Sequence, residues 1–328
     1  MVRVAVPLHV TRETARPREG RAVRLSGPTM GVSWTLQALA PSGLGDEAIR
    51  EAVQGACDRV VAQMSDWEPE SDLSRFNVAP AGTWVAIPPE FATVARAALD
   101  LAEASGGAFD PGLGDLVRLW GFGPAGPVDE PPGAADLAAA RAGWRDLRLE
   151  DGRLLQPGGV RLDLSGIAKG YGVDLAAEAL TALGVRDYLL EIGGELRGGG
   201  VKANGEPWWV QVERPPEARL DEPPVLIALH ELSVATSGDW RRTFTAQGRR
   251  YSHTLHPLHR APVAEPPAAV TVLHEGCMQA DALCTALTVL GPDAEAFAAR
   301  RDVAALFLWR TPDGFEERMT PAFQRLLA

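Results

Sequence analysis

Cysteine is scarce in this 328-residue chain, and its three copies, Cys57, Cys277 and Cys284, show no metal-type spacing. That excludes a disulfide scaffold and a thiolate zinc site, and leaves the thiols as core filler. Long apolar runs are missing, so no segment predicts a membrane span. Positive charge is in deficit: 32 Lys and Arg against 43 Asp and Glu give a net charge of −11. Such a field argues against nucleic acid or an anionic membrane as the main partner. Absent too are a G-x-S-x-G elbow, a P-loop, a G-x-G-x-x-G turn after a strand, and any internal repeat. The N-terminus, MVRVAVPLHVTRETARPREGR, has only a short apolar patch, broken by Pro7 and His9, and no early cysteine for lipidation. As it stands it predicts a cytoplasmic protein; a trimmed mature form would be an exported one.

What is present is ordinary globular material, 46% hydrophobic and 23% charged. Residues 1–20 predict a flexible polar tail, and residues 21–328 a single domain. Val23–Leu36 alternates as a strand broken at Gly27-Pro28. Helical periodicity marks Asp46–Ser65 and Pro89–Ser105, the second stopping at Gly106-Gly107. Ala125–Gly133 reads as a surface loop, and Leu147–Leu154 as a hairpin around Asp151-Gly152. Strands at Asp187–Ile192, Trp208–Glu213, Val225–Leu229, Ser233–Thr236, Ala269–Leu273 and Val303–Trp309 are mixed with helices at Met278–Leu290 and Ala294–Arg301. Several of these strands read as antiparallel neighbours, which predicts an α+β fold.

Three segments carry candidate chemistry. Arg161–Asp174, RLDLSGIAKGYGVD, reads as a strand, a small-residue turn and a helix continuing to Leu183. Such a junction aims free N–H groups and the positive end of a helix dipole at a phosphate. Lys169 adds a point charge on the first turn, and Asp163 stands before it as an acceptor. In the helix QADALCTALTVL, Asp281 and Thr285 are one turn apart, a spacing that suits Mg²⁺; equally, Asp281 caps the helix and Thr285 bonds its own backbone. In YSHTLHPLHRAPV, His253, His256 and His259 lie three and three apart around Pro257, which fits a single loop base better than zinc. Trp67, Phe109, Trp120, Phe122 and Tyr171 sit in or beside Gly-rich turns, where they either stack on a planar ring or pack under loops.

Together these segments resemble the ApbE family of flavin transferases. The resemblance runs in ordered blocks from Pro28 to Leu290: Thr29-Met30-Gly31, Met64–Asn77 (MSDWEPESDLSRFN), Gly106–Pro124 (GGAFDPGLGDLVRLWGFGP), Asp163–Asp174, Glu191–Glu195 (EIGGE), Ala235–Trp240 (ATSGDW), Ser252-His253 and Ala280–Leu287. It implies a T-fold-like architecture of mixed, largely antiparallel sheets with packed helices. It implies transfer of the FMN half of FAD to a Thr or Ser hydroxyl of a target protein carrying a flavinylation motif, with Mg²⁺ and with release of AMP. Met30, Trp67, Ala108, Phe109, Asp110, Asp163, Lys169 and Leu255 are then expected around FAD. Asp281, Thr285 and backbone carbonyls near Gly166 and Cys284 are expected on Mg²⁺. His253 is the expected base, with His256 its rival and Lys169 aiding the leaving phosphate.

Departures from the family pattern bear on this. The usual S-H-I-I-D-P-x-T-G reads Ser252-His253-Thr254-Leu255-His256-Pro257-Leu258-His259-Arg260 here, losing a carboxylate. Trp67 stands where Tyr is usual. Cys284 stands where some relatives carry an extra Asp ligand associated with FAD hydrolysis, which predicts weak hydrolysis here. A FAD pyrophosphatase and an inert FAD-binding protein are the alternatives, and Asp281→Ala is expected to abolish turnover while sparing the fold.

Overall fold

The segment read as one interrupted strand folds back on itself. In the computed structural model, which describes residues 3–11, 13–16, 18–220 and 222–327, β1 (Arg21–Thr29) and β2 (Val32–Ala40) form an antiparallel hairpin. Its turn is Met30-Gly31, both at positive φ (48° and 70°), as a tight two-residue hairpin requires. Gly27-Pro28 is therefore not the break. Pro28 is tolerated because β1 is an edge strand, and a side chain at Gly27 would meet the Trp34 indole Nε1 at 2.6 Å.

Six more strands complete an eight-stranded sheet: β3 (Asp187–Ile192), β4 (Glu195–Gly199), β5 (Leu232–Gly238), β6 (Ala269–His274), β7 (Ala304–Thr311) and β8 (Gly314–Met319). They lie in chain order, each antiparallel to the next. One face carries α1 (Asp46–Met64), α2 (Pro89–Ala104), α3 (Ala168–Ala182) and α4 (Cys277–Leu290), with α3 packed between α1 and α4. Alternate strand residues such as Leu36, Leu190 and Ile192 meet Ile49 and Val53 of α1 and Val173 of α3 in the main core. The α+β expectation holds, with the antiparallel sheet dominant.

The opposite face corrects the expected N-terminal tail. There Val234, Leu273 and Leu306 are covered by a small sheet in which Arg3–Ala5 pairs in parallel with Val225–Ile227. Ala5 is fully buried, Arg3 pairs with Glu317 at 2.6 Å, and Arg18 reaches Asp187 at 2.8 Å. Of the remaining tail residues, Met1, Val2, Arg12 and Pro17 lie outside the described residues.

A second correction falls at the phosphate-type junction. Arg161–Leu164 is extended but belongs to no sheet. Its backbone is held by the Asn77 side chain, which accepts from Leu162 N–H at 2.7 Å and donates to Leu162 O at 3.0 Å. Pro111 O accepts from Asp163 N–H at 2.8 Å, and Arg161 O from Gly114 N–H at 2.9 Å. A side lobe centred on Leu116, Trp120, Phe122 and Leu255 carries the hairpin Thr243–Ala246/Arg249–Ser252, on which Phe244 and Tyr251 stack at 5.1 Å.

Candidate functional site

Two helices cap each other. Neither α3 nor α4 has a side-chain cap of its own. Asp174 of α3 accepts from Cys277 N–H (3.0 Å) and Met278 N–H (2.9 Å) at the start of α4. Asp281 of α4 accepts from Gly170 N–H (3.0 Å) in the first turn of α3. Each carboxylate thus sits at a positive helix end. A cap role for Asp281 was legible, but the helix it caps is its neighbour. The exchange requires close approach: a Cβ at Gly170 would lie 2.3 Å from Cys277 O, and one at Gly166 2.8 Å from Thr285 Oγ1.

That approach assembles Gly166, Lys169, Asp281 and Thr285 on one side of the helix pair. It adds a residue to which the sequence assigned no role, Glu195, first in β4 after the Gly193-Gly194 turn. Lys169 Nζ lies 2.5 Å from Glu195 Oε1 and 3.9 Å from Asp281 Oδ1. Burial opposes the lysine's charge, but Asp281 and Glu195 outweigh it and hold the ammonium firmly protonated. Burial likewise pushes both carboxyls upward in pKa, only partly offset by Lys169. When both carboxyls are ionised they outnumber the one ammonium and leave a negative excess, and Glu195 Oε2 is buried without a partner. A divalent cation fits this donor set: it balances the charge and takes hard oxygen ligands. The Cys284 thiol bonds Ala235 O at 3.3 Å, and the Cys284 carbonyl accepts the Thr288 hydroxyl at 2.8 Å.

The residues expected around FAD flank this group. Met30, in the β1–β2 turn, approaches α3, its Cε 3.1 Å from where a Gly172 Cβ would be. Trp67 follows α1 and is 58% exposed, a free aromatic face beside Asp66, which pairs with Arg161 at 3.5 Å. Asp163 and Asp110 are brought together by the Pro111–Asp163 backbone bond. Asp163 Oδ1 accepts from Ser165 N–H (2.7 Å), and Asp110 Oδ1 from Gly112 N–H (2.8 Å). Burial pushes the Asp110 carboxyl up to about 6. Of the two alternatives for Phe109, stacking or packing, its ring takes the second and is buried in the main core.

The histidine segment divides in two. His253 is half-buried, edge-on to Phe122 at 6.3 Å, with Nδ1 buried and unpartnered. Burial, then the positive charges of Arg242, Lys169 and Arg241, lower its pKa to about 4. It is a neutral imidazole at physiological pH. His256 spends Nδ1 on the turn, accepting from Leu258 N–H (3.2 Å) and His259 N–H (3.4 Å), and stacks on His259 at 4.0 Å. Leu255 packs its side chain into the side lobe and pairs with Pro262 in a short antiparallel ladder. Arg260, at φ 56°, donates to Leu137 O, Ala138 O and Ala140 O at the end of the helix Ala134–Ala139. The atypical segment is thereby built into the lobe.

Comparison with known proteins agrees with this geometry. A sequence model of the ApbE family matches residues 30–307. The chain belongs to the ApbE family. It is 36% identical over 313 residues, 93% of each chain, to a Vibrio cholerae protein named FAD:protein FMN transferase. A Haemophilus influenzae protein of the same name is 35% identical, over 94% of this chain and 92% of its own. The apo structure of the Pseudomonas stutzeri flavinyl transferase ApbE superposes with a TM-score of 0.87 at 38% identity, covering 94% of this chain and 98% of that one. The Vibrio cholerae flavin transferase structure gives 0.86 at 35% identity. The ApbE-like fold expected from the sequence is present, and the chain is a transferase. Among the described residues, no helix is long and apolar enough to cross a membrane.

Proposed function

We propose that this ApbE enzyme attaches the FMN half of FAD to a Thr or Ser hydroxyl of a target protein bearing a flavinylation motif, and releases AMP. The observation that carries the reading is the buried Lys169–Glu195–Asp281 group, with its negative excess, beside Thr285 and the close Gly166 turn. Asp281, Thr285 and the Gly166 carbonyl would hold Mg²⁺, which would supply neutralisation of the diphosphate charge and of the charge developing on the leaving AMP phosphate.

The chain's own residues supply the rest. Trp67 offers its face to the isoalloxazine ring, and Met30, Asp163, the Ala108–Asp110 backbone and the Leu255 backbone line the dinucleotide. His253 takes the proton of the incoming hydroxyl, because its imidazole is held neutral. The hydroxyl oxygen forms a bond to the FMN phosphorus, the bond to the AMP phosphate breaks, and Lys169 meets the oxygen that leaves. His256, its Nδ1 held in a turn, stabilises the loop instead.

The test is incubation with FAD, Mg²⁺ and an acceptor protein, followed by denaturing electrophoresis viewed under ultraviolet light. A fluorescent acceptor band is expected. FMN and AMP without a band would point to hydrolysis, and unchanged FAD to binding alone; both contradict the reading.

A further inference from the structure

Glu195 stands out because it serves no structural purpose that an apolar residue would not serve better. It is 5% exposed, its Oε2 has no partner, and its one strong contact is Lys169 at 2.5 Å. Lys169 is offered two carboxylates and takes Glu195, standing off from Asp281 Oδ1 at 3.9 Å. Asp281 meanwhile spends only Oδ2, on Gly170 N–H. The lysine stem is confined as well, since its Cδ lies 3.5 Å from where a Cβ on Gly193 would be. The lysine's choice therefore decides whether Asp281 Oδ1 is free.

We infer that Glu195 is a positioning residue that tethers Lys169 and so keeps Asp281 Oδ1 open for a cation. This rests on the metal reading above. With Glu195 in place, the ammonium is held against β4, and Asp281 faces Thr285 with an uncommitted oxygen. Without it, Asp281 Oδ1 at 3.9 Å is the remaining carboxylate oxygen for the half-buried ammonium, and the ion pair closes onto it. Lysine and metal would then compete for one oxygen. The tether resolves that competition while keeping the lysine charged and near the phosphates.

A double-mutant cycle read by Mn²⁺ binding to the full-length protein, followed by electron paramagnetic resonance, tests this without turnover. Glu195→Gln keeps the shape and is expected to weaken Mn²⁺ binding by about tenfold or more, the usual effect of losing a residue that orients a ligand. Lys169→Met, with no ammonium left to restrain, is expected to bind Mn²⁺ at least as tightly as the wild type. In the Lys169→Met background, Glu195→Gln is expected to have little further effect. Equal weakening in both backgrounds would overturn the tether, since Glu195 would then act by its own charge. Should Glu195→Gln fail to fold, Lys169→Met alone decides, and weaker binding counts against the inference. Wild-type protein that binds no Mn²⁺, alone or with ADP, would instead refute the metal site itself.

Discussion

His253 is held neutral by burial and by three nearby cations, and this shapes both activity and stability. His253→Ala is expected to lower kcat by roughly a hundredfold or more, as loss of a general base does, and His256→Ala by only a few-fold. The imidazole binds a proton more weakly folded, at about 4, than at its ordinary 6.5. The unfolded chain is the better proton acceptor, so stability is lost as pH falls from 6.5 toward 4. Melting temperatures at pH 7.5 and 5.5 should show that drop, and it should be shallower in His253→Ala. Asp281 also differs from its expected character. It is 4% exposed and caps a helix, so Asp281→Ala removes fold stability along with turnover. Asp281→Asn, which retains a hydrogen-bond acceptor for Gly170 N–H, is the cleaner variant: turnover should be lost with a smaller fall in melting temperature.

Among the elements, the exchanged caps of α3 and α4 are the device that builds the site. Asp174→Ala strips two N–H groups of their acceptor and leaves Arg197 without its 2.8 Å partner. The expected cost is about 2 kcal/mol, the upper end for a cap, read from chemical denaturation. Gly170→Ala should cost a similar ~1–3 kcal/mol by overpacking against Cys277 O, despite alanine's better helix propensity. These helices were legible in the sequence because their apolar periodicity and Gly stops are strong and local. The partner of each cap was not, since Asp174 and Cys277 meet only after the sheet has formed. Nor was the role of Glu195, which follows from a lysine 26 residues earlier in the chain. Arg161–Leu164 misled because an apolar alternation marks burial, and Asn77 satisfies that backbone without a sheet.

At the scale of the molecule, the eight strands in chain order make one wide surface, its helical face carrying the site. Its other face is closed partly by Arg3–Ala5, a segment whose polar neighbours hid it in the sequence. Removing residues 1–6 uncovers Val225 and Ile227 and leaves Glu317 with Arg214 as its remaining cation. Melting temperature should fall while FAD affinity holds, because that face is remote from the α3–α4 pair. The family blocks, spread from Thr29 to Leu287, take in both the α3–α4 pair on the helical face and the side-lobe residues Trp120 and Phe122, the second beside His253, and this is why a site scattered over the whole chain was readable. The most direct test of the account is stoichiometric: purified enzyme, FAD, Mg²⁺ and acceptor, with intact-protein mass spectrometry and AMP quantified together. One AMP released for each FMN attached to an acceptor hydroxyl, with both lost in Asp281→Asn, is the predicted result. AMP released without modification of the acceptor, or transfer undiminished in Asp281→Asn, would contradict it.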